Sequence, residues 1–139
     1  MSNAHFRVPK AINEPVLSYA PGTPEREAVL ASYRTQYNEV ADIKMKIGGQ
    51  RLDSSSKKPL SPPHQHQHVI GHYYEATEEQ AKLAIEEALK AKPQWAAMPW
   101  EQRAAIFLKA ADLIAGPYRA RINAATMLAQ SKTIHQAEI

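Results

Sequence analysis

Three histidines alternate with glutamines over residues 64–68, and they form the most conspicuous group of side chains that could bind a metal. Imidazole is a common metal ligand, and alternate residues of an extended strand lie on one face. A structural zinc site needs a fourth ligand, the sequence contains no cysteine, and same-face neighbours stand about 6.5 Å apart. We therefore expect His64, His66 and His68 to bind zinc or nickel adventitiously at most, and we predict no specific metal site.

Other reactive side chains are also better explained without catalysis. Lys132, in the run Gln130–Thr133, is placed like the lysine of a phosphate-binding loop, but no G-x-x-x-x-G precedes it. Glu86 and Glu87 are flanked by lysines at the spacing of a solvent-exposed helix face. Arg103 is predicted to pack or to form a salt bridge. The residues themselves thus predict no catalytic, cofactor-binding or metal-binding position.

The composition is that of a globular protein of one domain, since 44% of the residues are hydrophobic and 22% are charged. No stretch approaches the roughly 18 apolar residues of a membrane span. Seventeen Lys and Arg are interspersed with fourteen Asp and Glu, so we expect no nucleic-acid-binding surface. The absence of cysteine excludes disulfides and a cysteine nucleophile within these residues. Residues 1–25 resemble neither a signal nor a transit peptide, which favours a reducing, cytoplasmic setting.

The first third of the chain is predicted to hold an arm, a helix and short strands. Residues 1–24 are rich in proline and lack apolar periodicity, as in an arm lying over another part of the protein or a disordered leader. Thr23 and Pro24 predict a helix start. The apolar face of this helix is predicted to contain Val29, Leu30, Tyr33, Tyr37 and Val40. A strand over 42–47, a Gly48-Gly49 turn, a return strand over 50–52, a polar loop over 53–63 and a strand over 69–74 should follow.

The rest of the chain is predicted to be helical. Thr77 and Gln80 form a capping box, and the helix that they open should end before Pro93. The next helix, from Pro99 to Gly116, is apolar nearly all round, so we expect other elements to cover it on several sides. A third helix presents Tyr118, Ile122, Ala125 and Ala129 on one side. A second capping box, at residues 133–136, opens a last helix that we expect the chain end to truncate.

These motifs, in this order, resemble the N-terminal part of an aldehyde dehydrogenase. The similarity to the first hairpin and first two helices of that superfamily is carried by Ile47–Gly49, by Thr77–Ala88 and by Arg103–Ile114. Gln130–Thr133 with Gln136–Glu138 resembles the Gly-Lys…Glu-Ala pattern of a later helix, with Ser131 standing where glycine is usual. Three further stretches resemble one branch of the family, the Δ1-pyrroline-5-carboxylate dehydrogenases. They are Asn13–Leu17, Pro21–Glu27 and Ile106–Pro117.

The resemblance implies an α/β fold, in which this chain is the mostly helical N-terminal part of a Rossmann-type cofactor domain with a few short strands. Residues 1–24 would be an extended arm and residues 25–139 an incomplete part of the NAD-binding domain. The implied activity is NAD-dependent oxidation of L-glutamate γ-semialdehyde to L-glutamate in proline degradation, through a thiolate nucleophile and hydride transfer. The implied partners are a small aldehyde substrate and further copies of the protein, with neither nucleic acid nor membrane.

In that family the nucleophilic cysteine, the general-base glutamate, the oxyanion-hole asparagine and the NAD site all lie beyond the position of Ile139. The resemblance therefore assigns no catalytic, cofactor-binding or metal-binding residue to this chain, and the isolated chain is expected to be inactive. Two alternatives remain open. One is another semialdehyde dehydrogenase of the same superfamily, and the other is a self-contained helical interaction module.

Overall fold

The computed structural model describes residues 5–139, which are mostly helical with a few short strands, as predicted. The helices are α1 (Pro24–Asn38), α2 (Glu78–Ala97), α3 (Trp100–Ala115), α4 (Arg119–Gln130) and α5 (Ile134–Glu138). The strands are β1 (Ala41–Ile43), β2 (Met45–Ile47), β3 (Gln50–Leu52), β4 (Lys57–Leu60) and β5 (Gly71–Tyr74). Of the predicted arm, residues 1–4 lie outside the described residues, and residues 5–23 form neither helix nor strand.

The strands form two small sheets. β5 lies between β1, which is parallel to it, and β4, which is antiparallel, while β2 and β3 form a separate hairpin. The predicted single strand over 42–47 is wrong, because the chain changes sheet at Lys44. The predicted loop over 53–63 is wrong in part, because it contains β4. This strand was not predicted because its sequence contains Pro59 and two lysines, which are uncommon inside sheets. Both residue types are tolerated on a sheet edge, where β4 lies.

The predicted hairpin turn is confirmed. Gly48 and Gly49 have φ values of +56° and +81°, a backbone region that glycine enters without steric cost. The turn also rests against α2, since a Cβ atom on Gly48 would lie 2.8 Å from Oε2 of Glu87. The glycine pair therefore both closes the β2–β3 hairpin and lets it approach the helix.

A small core lies where the arm, α1 and α4 meet. Its centre consists of Tyr19, Val29 and Ala124, packed by Leu17, Leu30, Tyr33, Ala120, Met127 and Ile134. The predicted apolar side of α4 is wrong: its buried residues are Asn123, Ala124 and Leu128, whereas Ile122 and Tyr118 are 41% and 47% exposed. The α1 prediction holds for Val29, which is fully buried, but Val40 lies beyond the helix and is 60% exposed.

The two longest helices, α2 and α3, contain no buried residue. α2 begins at the predicted Thr77 capping box but continues through Pro93 to Ala97, so the predicted end before Pro93 is wrong. α3 lies within one residue of its predicted bounds, with Pro99 as N-cap residue. Its side chains are exposed on several faces, as Ile106, Phe107 and Ile114 show with 50%, 67% and 56%. Within residues 5–139, no helix has both the length and the apolar character needed to cross a membrane.

Candidate functional site

The most developed polar site surrounds Glu138, the last residue of α5, whose side chain is 1% exposed. α5 is oriented by the second predicted capping box, which the structure confirms. The Thr133 hydroxyl accepts from the Gln136 N–H at 3.3 Å, and the Thr133 N–H donates to Oε1 of Gln136 at 2.9 Å. This cap fixes the first turn of α5, and the carboxylate one turn later meets both the arm and α4.

Donors from the arm and from α4 satisfy both oxygens of the Glu138 carboxylate. Oε1 accepts from the Leu17 N–H at 3.0 Å and from Nη2 of Arg119. Oε2 accepts from the Tyr19 hydroxyl at 2.6 Å, from Nδ2 of Asn123 at 2.7 Å and from Nε of Arg119 at 3.2 Å. The two-pronged contact with Arg119 is the geometry that a guanidinium prefers with an ionised carboxylate. The buried glutamate is therefore held as an anion.

The pKa values of this site follow from its geometry. Burial alone would raise the pKa of Glu138, but hydrogen bonds from Arg119, Tyr19, the Leu17 amide and Asn123 together lower it from 4.5 to about 2. The pKa of Tyr19 is raised, first by burial and then by its hydrogen bond to Glu138. The hydrogen bond with Glu138 also raises the pKa of Arg119. The site therefore holds a fixed ion pair at neutral pH, which suits positioning rather than proton transfer.

The three histidines of the 64–68 segment do not converge. The His68 ring stacks on Tyr37 with centroids 4.0 Å apart, and its Nε2 lies 2.7 Å from the Tyr37 carbonyl oxygen. Nδ1 of His64 lies 2.7 Å from the hydroxyl of Ser131, and His66 is exposed. Within residues 5–139, no three His, Asp or Glu side chains are grouped to hold a metal ion. This loop instead docks on α1 and on the end of α4.

We expect added zinc to leave the melting temperature of the native full-length protein unchanged. The same should hold for the triple variant in which His64, His66 and His68 are replaced by glutamine. Without zinc, His68→Gln should cost about 1 kcal/mol because it removes the stack on Tyr37, whereas the exposed His66→Gln is the matched neutral control. Thermal unfolding in chelator and in zinc measures both effects. A rise in melting temperature with zinc that the triple substitution abolishes would establish a metal site and contradict this assignment.

Ser131 ends α4 in the left-handed conformation, with φ 55° and ψ 32°. Helices commonly end on such a residue, and glycine is favoured there because it has no Cβ. The structure therefore explains why the resemblance leads one to expect glycine at this position. Here serine keeps the left-handed backbone and adds the contact with His64.

We expect Ser131→Gly to leave the protein more stable than Ser131→Ala by about 1 kcal/mol, because both variants lose the hydroxyl and only glycine relieves the left-handed strain. Urea unfolding of the two full-length variants measures the difference. Equal stability of the two variants would mean that α4 can end without a left-handed residue.

The other reactive side chains singled out from the sequence do not form a site. Glu87 pairs with Lys90 at 2.5 Å on the surface of α2, as expected of a solvated helix face. Arg103 lies at the start of α3, where its buried Nε has no hydrogen-bond partner within the described residues. Lys132 lies in the short segment between α4 and α5. Within the described residues, none of them forms a hydrogen bond or salt bridge with the Glu138 network, which the sequence patterns did not indicate.

The chain matches the aldehyde dehydrogenase family over residues 52–139, which is more than half of its length. It belongs to that family. Aldehyde dehydrogenases have an α/β fold, so the mostly helical character of these residues agrees with the predicted fold class.

Several relatives of this aldehyde dehydrogenase chain share one name. Delta-1-pyrroline-5-carboxylate dehydrogenase of Agaricus bisporus is 42% identical over 137 residues, which cover 98% of this chain and 25% of that protein. The human mitochondrial enzyme of that name is 38% identical over 130 residues, 94% of this chain and 23% of that protein. The Mycobacterium tuberculosis enzyme, solved bound with NAD, has 42% identity and a TM-score of 0.95 over 99% of this chain and 26% of its own. The chain thus spans about a quarter of these relatives.

The residues of this aldehyde dehydrogenase chain do not form an NAD phosphate-binding turn of the G-x-G-x-x-G type. Its glycines are Gly22, Gly48, Gly49, Gly71 and Gly116, and no three of them have that spacing. The chain also has no cysteine that could supply a thiolate. Neither a cofactor site nor a nucleophile is therefore assigned to these residues.

Proposed function

We propose that this chain is the N-terminal part of an NAD-dependent dehydrogenase that oxidises L-glutamate γ-semialdehyde, formed from Δ1-pyrroline-5-carboxylate, to L-glutamate in proline degradation. The observation that carries the proposal is the extent of the similarity. The family match begins at residue 52, whereas relatives that share one specific name align over 98% of the chain, including the arm and α1. The upstream part therefore supports this branch rather than aldehyde dehydrogenases in general.

Within that protein, we assign residues 1–24 to an N-terminal arm and residues 25–139 to an incomplete part of the NAD-binding domain. NAD would accept the hydride at a site outside this chain. The chain itself contributes the arm, the first strands and the helices α1 to α5. Family membership favours this enzyme over a self-contained helical interaction module, and the unburied helices α2 and α3 suit a part of a larger domain.

The substrate is tested with the purified full-length protein, by NADH formation from glutamate semialdehyde. Succinate semialdehyde is the matched control, because it has the same aldehyde and distal carboxylate but no α-amino group. A site that hydrogen-bonds this amino group should give a kcat/KM at least about 100-fold higher for glutamate semialdehyde. A preference for succinate semialdehyde would favour another semialdehyde dehydrogenase. NADH formation by the pure 139-residue chain would contradict the proposed division of the protein.

We further propose that the full-length protein is a cytoplasmic homo-oligomer in which the arm contributes to subunit contacts. Its support is the apolar surface of the arm, where Val8, Ile12 and Val16 are 65%, 83% and 67% exposed. Size-exclusion chromatography with light scattering should give a molar mass of more than one subunit for the full-length protein. Ile12→Asp should weaken the assembly and lower that mass. Cell fractionation tests the compartment, which matters because several relatives are named mitochondrial.

A further inference from the structure

The arm is attached to the rest of the described chain mainly at one place. Phe6 lies edge-on to the Trp100 ring, with centroids 6.5 Å apart. Among residues 5–17, hydrogen bonds to the rest of the described chain come only from the Leu17 N–H, which donates to Glu138, and the Pro15 carbonyl oxygen, which accepts from Arg119 at 2.6 Å. The hydrogen bonds that seat residues 5–17 thus all lead to the ion pair of α4 and α5.

The backbone conformation of Tyr19 is independent evidence that this attachment is a specific feature of the fold. Its φ is +51°, an unusual value for a bulky residue. Such a conformation persists only where surrounding contacts hold it. Tyr19 is 3% exposed, its carbonyl oxygen accepts from Nη1 of Arg26 at 3.0 Å, and its ring meets His135 edge-on at 6.3 Å. Its hydroxyl donates to the Glu138 carboxylate. The left-handed backbone of Tyr19 and this hydrogen bond therefore depend on each other.

We propose that the Leu17 amide, Tyr19, Arg119 and Asn123 form a carboxylate receptor, and that Glu138 occupies it as the latch that holds the N-terminal arm on α4 and α5. The donors belong to two elements, the arm and α4, and the acceptor belongs to a third, α5. Loss of the carboxylate would therefore remove hydrogen bonds between α5 and both other elements at once. Besides Arg119 and Tyr19, two other titratable side chains lie next to the receptor, both in contact with Tyr19: Arg26 on α1 and His135 on α5.

The latch also imposes an order on folding. The contacts of Glu138 with Leu17 and Tyr19 span 121 and 119 positions of sequence. Residues of the arm are synthesised first, but the receptor has no carboxylate until α5 exists. The hydrogen bonds from the arm to Glu138 can therefore form only after α5 exists, and closing contacts so distant in sequence costs chain entropy that local contacts do not.

The latch is tested by hydrogen exchange of the arm in the full-length protein, which needs neither substrate nor turnover. In the Glu138→Gln variant, exchange at Leu17 should be faster by about 10- to 100-fold, because its hydrogen bond loses a charged acceptor. Glu25→Gln is the matched control, since the Glu25 carboxylate also touches the arm, accepting from the Ser18 hydroxyl, but through a solvent-exposed hydrogen bond. It should leave exchange at Leu17 unchanged. An arm that stays protected in a folded Glu138→Gln protein would overturn the proposal.

A rescue experiment separates the receptor from general destabilisation. Glu138→Ala should leave a space lined by the donors of the receptor. Acetate can enter this space and accept their hydrogen bonds, whereas potassium chloride at equal ionic strength offers no carboxylate. Acetate should restore protection of the arm in Glu138→Ala, but not in Glu138→Ala combined with Arg119→Ala. Equal effects of acetate and chloride would argue against a carboxylate receptor. Should Glu138→Ala fail to fold, Tyr19→Phe removes a single donor, and unchanged exchange at Leu17 in it would count against the latch.

Discussion

Replacement of Arg119 by alanine is expected to destabilise the full-length protein by about 3–5 kcal/mol, the cost of leaving a buried charge without its partner. The Glu138 carboxylate, whose side chain is 1% exposed in the native protein, would keep its neutral donors but would lose both hydrogen bonds from Arg119, and with them its only salt bridge in the described residues. Urea unfolding followed by circular dichroism measures the change.

Arg121→Ala is the matched control, because Arg121 lies on the same helix and its side chain forms no salt bridge within residues 5–139. An exposed substitution of this kind should change the free energy of unfolding by no more than about 0.5 kcal/mol. In the double variant Arg119→Ala with Glu138→Gln, the two effects should not add, since both residues belong to one network. Additive effects, or equal effects of the two arginine substitutions, would show that the pair does not act as a buried unit.

The same ion pair gives a pH dependence of known sign. The pKa of Glu138 is about 2 in the folded protein and 4.5 as its ordinary value. Because the folded pKa is the lower one, ionised Glu138 contributes its full stabilisation above pH 4.5 and loses it as the pH falls towards 2. The free energy of unfolding should therefore fall less steeply over this window in Glu138→Gln than in the native protein. Parallel acid titrations of the two proteins would contradict the low pKa.

Local signals predicted local structure well. The capping boxes at Thr77 and Thr133 each need residues only three positions apart, and both helices begin where those boxes place them. The Gly48-Gly49 turn is equally local, and so is the apolar run of α3. Pro93 is the exception. Proline breaks the helical hydrogen-bond pattern at one place, and α2 continues for four more residues regardless.

The failures concern information that a local pattern does not contain. Alternation of apolar and charged residues continues across Lys44, so nothing in the pattern marks the change of sheet. On α4, the apolar side that periodicity selects is not the side that α1 and the arm cover. Asn123 is 5% exposed although it is polar, because its partners Tyr19 and Glu138 reach it from distant parts of the sequence. The Glu138 network was therefore beyond prediction from spacing alone.

The isolated 139-residue chain is expected to be helical by circular dichroism but to bind ANS, aggregate or unfold without a sharp transition. α2 and α3 contribute no buried residue within the described chain, and their exposed side chains include Ile85, Leu89, Phe107 and Ile114. Burial of apolar surface stabilises a fold by about 25 cal/mol per Å² only where another surface covers it. The small core at Tyr19, Val29 and Ala124 is then the main source of stability.

Extension of the chain through the whole cofactor-binding domain is expected to restore a cooperative unfolding transition and to abolish ANS binding. The free energy of unfolding is a small difference between large terms, so one additional layer that covers α2 and α3 can determine whether the domain is stable. A matched control keeps the original length and replaces Phe107 with serine. This substitution should reduce ANS binding of the isolated chain, in which Phe107 is 67% exposed, yet destabilise the extended chain, in which we expect it to be covered. If the isolated chain instead melts sharply as a monomer without ANS binding, α2 and α3 need no further layer. The self-contained interaction module would then explain the chain better than a part of a dehydrogenase domain.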